Sequence, residues 1–130
     1  MTDPVGIVLV SHSAAMAAGL RELLRELGSD AVPVLLAAGT EDGGLGTSYD
    51  LIVRAVEEAD TGAGVVVLPD LGSSVLTAVT ALADHPRPGA VLVDAPFVEG
   101  AVAAVVTAST GAALAEVVAA AEDARGFRKF

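Results

Sequence analysis

Cysteine and tryptophan are absent, and among the 130 residues there are one tyrosine, three phenylalanines and a single lysine, Lys129. The missing cysteine excludes disulfides, thiolate nucleophiles and cysteine-ligated zinc or iron–sulfur sites. The scarcity of rings leaves no stacking platform for RNA or single-stranded DNA. With 7 Lys+Arg against 17 Asp+Glu, a formal charge of −10 and a pI near 4.3, the chain also lacks the cations that neutralise a phosphate backbone. Nucleic acid is therefore not an expected partner. Long apolar runs are missing too. The longest stretch free of charged residues and histidine, Gly100 to Ala115, is mostly Ala, Gly, Ser, Thr and Val, too short and too weakly hydrophobic to span a membrane. From Met1 to Val10 there is Asp3 but no basic residue, so the charged start and apolar length of a secretory leader are lacking. A cytoplasmic protein without a membrane association is expected.

What the chain does contain is apolar mass: 53% of residues are hydrophobic and only 18% charged, with a mean hydropathy of +0.65. That is enough for one well-filled core. A single domain over residues 1–124 is expected. The tail 125–130, which holds three of the seven basic residues, has the character of a segment that can be disordered.

Four short runs rich in β-branched residues, Val5 to Val10, Ala31 to Leu36, Gly64 to Leu68 and Ala90 to Val93, are continuous rather than alternating. Strands covered on both faces of a parallel sheet have that appearance. Helical patterns lie between them. Ala14 to Leu27 places Met16, Leu20, Leu23, Leu24 and Leu27 on one stripe, with Gly28 as the terminating residue. Ser48 to Ala59 turns Leu51, Ile52, Ala55 and Val56 inward, and Ser73 to Ala83 does the same with Val75, Leu76, Val79 and Leu82; Ser48 and Ser73 are the expected N-caps. Two Ala-rich helical segments, 97–108 and 112–124, follow the last strand and are expected to pair as a hairpin. The whole is an α/β protein with an open doubly wound parallel sheet, whose site belongs at the carboxyl ends of the strands.

Those ends carry the candidate chemistry. After the first run comes Ser11-His12-Ser13, which sets His12 at a helix N-terminus, where unpaired N–H groups favour an anion. A lone histidine is more often an ordinary surface residue, and His85, in a proline-rich connector, is read that way. After the second run, Gly39-Thr40 leads into a glycine-rich loop ending at Thr47. This loop is either a flexible acidic surface segment or a cradle closing its N–H groups and the Thr40 and Thr47 hydroxyls over an anion. It matches no nucleotide-binding glycine pattern. After the third run, Asp70 can accept a hydrogen bond from one imidazole nitrogen and so fix the tautomer that leaves the other nucleophilic, or it can merely cap the next helix. Asp94, after the fourth run, is either an acid supporting the site from behind or a helix cap, and the cap is the preferred reading. No Arg or Lys is expected near these ends, and no metal or cofactor is implied. One imidazole, one carboxylate and several hydroxyls suit a histidine that carries a phosphoryl group transiently without over-stabilising it, with missing cations coming from a partner.

In Gly6-Ile7-Val8-Leu9-Val10-Ser11-His12-Ser13, Ala38-Gly39-Thr40, Gly46-Thr47-Ser48, Pro69-Asp70-Leu71-Gly72-Ser73 and Ala95-Pro96-Phe97-Val98-Glu99-Gly100, the chain resembles the phosphocarrier subunits (DhaM) of phosphotransferase-dependent dihydroxyacetone kinases, which have the mannose-type EIIA fold. The resemblance runs from about Val5 to Asp123. It implies four parallel strands in the order 2-1-3-4, a C-terminal helical hairpin and a homodimer. It also implies a relay in which the carrier HPr phosphorylates His12 at Nε2, and His12 passes the group to ADP on the DhaL subunit, sustaining phosphorylation of dihydroxyacetone held on DhaK. Asp70 matches the carboxylate that orients the histidine, and Gly39, Thr40, Gly72 and Ser73 match the surrounding loops; Ser13 and Thr47 are expected to join them in binding. Ending at Phe130, the chain is expected to draw on a separate donor protein. Sugar-transporting mannose-type EIIA domains share the fold and histidine, but their third-strand loop usually continues through a Gly-Gly-Ser-Pro type sequence. The reading Leu71-Gly72-Ser73-Ser74-Val75 favours the dihydroxyacetone branch. A sugar-specific EIIA domain and a non-catalytic ligand-binding regulatory module are the alternatives.

Overall fold

In the computed structural model, which describes residues 3–130, strands and helices alternate: β1 (Gly6–Ser11), α1 (Ala14–Leu27), β2 (Val34–Ala38), α2 (Tyr49–Ala59), β3 (Val65–Pro69), α3 (Gly72–Asp84), β4 (Ala90–Leu92), α4 (Phe97–Ser109) and α5 (Leu114–Asp123), with a 3-10 turn at Ala124–Gly126. Met1 and Thr2, at the head of the segment read for a leader, lie outside the described residues. Among those described, no helix is long and apolar enough to cross a membrane. All strand pairings are parallel, in the order β2-β1-β3-β4. The central strands β1 and β3 are buried along their whole length, which is why they read as unbroken Val/Leu/Ile runs. One core packs α1, α4 and α5 on one face of the sheet, around Ile7, Leu9, Val66 and Leu68. The other packs α2 and α3 on the opposite face, around Val8, Val10, Val65 and Val67.

The expected bounds of α1 are met to the residue, with Ser13 capping through its side chain to the Met16 N–H at 3.1 Å. Ser48 likewise caps α2. The strand β2 begins later than its apolar run, because Pro33 has no N–H to give to a ladder and stands just ahead of it. Three expectations are corrected. On α1 the buried residues are Ala17, Leu20 and Leu24, and Met16, Leu23 and Leu27 are exposed. On α3 the inward side is Ser74, Ala78 and Ala81, while Val75, Leu76 and Val79 face outward. Nor does Ser73 cap α3: the cap position is Leu71, with no side-chain bond, and Ser73 sits inside the first turn. On α3 only small residues are fully buried, an outcome that a pattern built on large apolar residues misses, whereas α1 keeps Leu20 and Leu24 of its expected stripe inside. The tail turns back on the body, with Arg125 bonded to Asp94 at 3.1 Å and Lys129 to Glu99 at 3.3 Å.

Candidate functional site

The chain leaves β1 toward β2 on one side and returns past it to β3 on the other, so the carboxyl ends of β1 and β3 flank the point where strand order reverses. His12 follows β1 and Asp70 follows β3, and the Asp70 N–H extends the ladder to the Val10 carbonyl at 2.9 Å. The imidazole Nδ1 and the Asp70 Oδ1 are 2.9 Å apart, with the histidine side chain 25% exposed and the aspartate 3%. A carboxylate only accepts, so Nδ1 holds the proton and Nε2 turns a lone pair outward. The Ser73 hydroxyl donates to Nε2.

Asp70 is held on both oxygens. Oδ1 also accepts from the Ser74 hydroxyl at 2.6 Å and the Leu71 N–H at 2.7 Å. Oδ2 accepts from the His12 N–H at 3.0 Å and the Ser11 hydroxyl at 2.9 Å. Burial pushes the Asp70 carboxyl up, but donation from Ser74, from the His12 backbone and ring and from Ser11 outweighs it and holds the group at about 2. The carboxylate is thus ionised throughout the neutral range. Because its folded value is depressed, its stabilisation, about 2 kcal/mol, is fully present above the unfolded value. It is lost as pH falls from about 4 to about 2. Urea unfolding followed across that window should show stability falling more steeply in the wild type than in Asp70→Asn.

Ser11 and Ser74, both fully buried, are functional-site residues that the sequence reading missed. A buried polar residue must find partners, but that these two serines are buried follows only from the packing of α3 and β3 against β1. Of the expected binding residues, Ser73 meets the ring and Gly72 opens α3 beside it. Ser13 instead caps α1. Gly39 adopts φ +72°, a region that favours glycine, and a Cβ there would lie 2.9 Å from the Gly44 carbonyl oxygen. Its N–H bonds to the Ser11 carbonyl at 2.9 Å, and the Gly46 N–H bonds to the His12 carbonyl at 3.0 Å, which ties the glycine-rich loop to the histidine backbone. The loop hydroxyls are otherwise engaged: Thr40 donates to Asp42 and accepts from Gly44, and Thr47 pairs with Thr77 at 3.0 Å.

Two readings of the strand ends are corrected. Asp94 does not cap α4, whose cap position is Pro96; its carboxylate takes Arg125 instead. Cations do reach the strand ends, since Arg125 meets Asp94 beyond β4 and Arg54 meets Glu41 at 2.9 Å beyond β2. Chain folding brings in both from distant positions, and each is matched to an acid rather than to the imidazole. His85 caps the far end of α3 and packs edge-on to Tyr49, with ring centroids 5.8 Å apart.

A histidine with one nitrogen fixed by a carboxylate and the other aimed outward at an uncapped helix start can act as a nucleophile that holds its product briefly. Residues 6–118 match the EIIA-man family model, described as the PTS system fructose IIA component. A "PEP-dependent dihydroxyacetone kinase 1, phosphoryl donor subunit DhaM" of Listeria innocua is 38% identical over 105 residues, covering 79% of this chain and 81% of that protein. The DhaM subunit of Escherichia coli is 38% identical over 120 residues, covering 88% of this chain but 25% of the longer relative. A crystal structure of a protein of unknown function, EF1359, superposes with a TM-score of 0.85 at 32% identity, covering 98% of both chains. On fold and sequence together, the chain belongs to the EIIA-man family of phosphotransferase-system IIA components and, within it, to the DhaM type.

Proposed function

We propose that this chain is a cytoplasmic phosphohistidine carrier, the phosphotransferase subunit of a phosphoenolpyruvate-dependent dihydroxyacetone kinase. His12 accepts a phosphoryl group from HPr and gives it to ADP on a DhaL subunit, which sustains phosphorylation of dihydroxyacetone on DhaK. The observation that carries this reading is the His12 ring, bonded to Asp70 through Nδ1 and directed outward through Nε2.

In this mechanism the Nε2 lone pair attacks the donor's phosphorus, the new N–P bond forming as the bond to the donor breaks. The ring becomes cationic, and the Asp70 carboxylate, held in place by its other donors, stabilises that charge. The Ser73 hydroxyl swings from Nε2 to a phosphoryl oxygen. The leading N–H groups of α3 have no partner within the helix and no side-chain cap, so they and the positive helix end receive the remaining oxygens. With Arg54 and Arg125 committed to acids, the phosphoryl group is held by hydrogen bonds rather than clamped by charge, which preserves its transfer potential.

The test charges the protein with phosphoenolpyruvate, enzyme I and HPr, then offers ADP with and without DhaL. ATP is expected only when DhaL is present. Discharge by a sugar-transport acceptor instead would move the chain to the sugar-specific branch. The homodimer belongs to the same reading, and sedimentation should give twice 12.8 kDa.

A further inference from the structure

The hydroxyls of α3 are used in two ways. Thr77 and Thr80 donate back to the carbonyls of Ser73 and Leu76 in the preceding turn, at 2.9 and 3.1 Å, as hydroxyls inside a helix commonly do. Ser73 and Ser74 turn instead to the His12 ring, one toward each nitrogen. Ser74 is wholly buried, with its Oγ 2.6 Å from Asp70 Oδ1 and 3.2 Å from His12 Nδ1. Because Nδ1 holds the ring proton, the single Ser74 proton goes to the carboxylate, and the hydroxyl oxygen is left facing the Nδ1–H. Ring, carboxylate and hydroxyl close a triangle around one proton. The Leu71 N–H also donates to Oδ1, at 2.7 Å, but only Ser74 reaches both partners. Ser11 serves the other carboxylate oxygen, and less exclusively: besides Oδ2 at 2.9 Å, its hydroxyl has the Ser13 carbonyl at 3.2 Å as an acceptor.

We infer that Ser74 is a positioning residue that sets how tightly His12 holds its phosphoryl group, by limiting how far the Asp70 carboxylate stabilises the phosphorylated ring. The inference rests on the carrier reading above and extends it to the balance between charging and discharge. In charging, the Nε2 lone pair forms the N–P bond, the pair of the broken bond returns to the donor, and Nδ1 keeps its proton. The ring therefore gains one positive charge. Asp70 answers that charge with whatever negative charge Oδ1 has free, and a second donor on the same oxygen withdraws part of it. Ser73 leaves Nε2 as the phosphoryl group arrives, whereas Ser74, enclosed between α3 and the sheet, keeps its bond through the whole cycle. A carrier whose carboxylate lacked that bond would fill readily and empty slowly, because an over-stabilised intermediate raises the next barrier.

The variants Ser74→Ala and Ser11→Ala test this. Enzyme I and HPr, at a fixed ratio of phosphoenolpyruvate to pyruvate, bring each protein to equilibrium from both the free and the phosphorylated side, and intact mass analysis gives the phosphorylated fraction. The equilibrium constant for charging should rise about tenfold in Ser74→Ala, and by less in Ser11→Ala. The proton on Nδ1 should move downfield in the NMR spectrum of Ser74→Ala as its bond to Asp70 tightens. Misfolded chain lowers the phosphorylated fraction, so structural damage works against the expected result. A Ser74→Ala equilibrium at or below that of the wild type would overturn the role of Ser74 while leaving the carrier reading intact. An equal rise in both variants would trace the effect to the carboxylate's donors in general, and that too overturns the proposal. A wild-type chain that is never charged removes both readings.

Discussion

His12→Ala is expected to lose phosphoryl acceptance outright, by a factor on the order of 10³ or more. Intact mass analysis after incubation with phosphoenolpyruvate, enzyme I and HPr should show one added phosphoryl group on the wild type and none on the variant. No second group stands ready to substitute. The other histidine, His85, lies at the far end of α3 against Tyr49, without the carboxylate that would fix its tautomer. Serine oxygens near the site are weak nucleophiles at neutral pH unless a base activates them, and the base here would be the imidazole that the substitution removes. Stability should change little, since His12 is partly exposed and its backbone bonds to Asp70 and Gly46 survive the change. Charging of the alanine variant, at any other residue, would place the reactive atom elsewhere and end the carrier assignment to His12.

Asp70→Asn is expected to fold and to transfer about 10² to 10⁴ times more slowly. The size of the effect follows from how completely the carboxylate is surrounded by donors. Oδ1 faces the His12 ring, the Ser74 hydroxyl and the Leu71 N–H; Oδ2 faces the His12 N–H and the Ser11 hydroxyl. An amide brings two donors of its own into that company. Turned with its NH₂ toward the ring, it forces Nδ1 to accept and puts the proton on Nε2, which abolishes the nucleophile. Turned the other way, it keeps the tautomer but sets NH₂ against the His12 N–H, and in either pose the negative charge that steadies the developing imidazolium is gone. Single-turnover charging measures the loss, and nitrogen-15 NMR of the ring reports which nitrogen holds the proton. Unimpaired transfer with the proton still on Nδ1 would show that the carboxylate does not govern the reaction.

The parts of this arrangement legible in the sequence are those set by local rules. A stripe with a serine before it and a glycine after it delimits α1, and the unbroken β-branched runs announce a sheet covered on both faces. Together they place His12 and Asp70 at the carboxyl ends of strands, and the resemblance to the mannose-type EIIA fold implies that those strands are neighbours. What was not legible depends on partners far apart in the chain. Ser74 looks like any residue in the first turn of a helix until α3 is laid against β1, when its hydroxyl meets Asp70. Ser11 looks like a strand terminus until β3 arrives beside it. The pairing of Asp94 with Arg125, 31 residues apart, cannot be inferred from either segment alone. The leucines and valines of α3 were expected inside because their spacing fits a helix face, but the face nearest the sheet is filled by serine and alanine.

That choice of small inward residues on α3 divides the helix between two kinds of selection. Ser74, Ala78 and Ala81 set how near the helix lies to the sheet, and through Ser74 they set the bonds of the carboxylate; a larger residue at any of them disturbs packing and chemistry together. Val75, Leu76 and Val79 face outward and carry no such burden. Substitutions on the outer side of this one helix can therefore change the surface beside the site while the nucleophile and its carboxylate stay as they are.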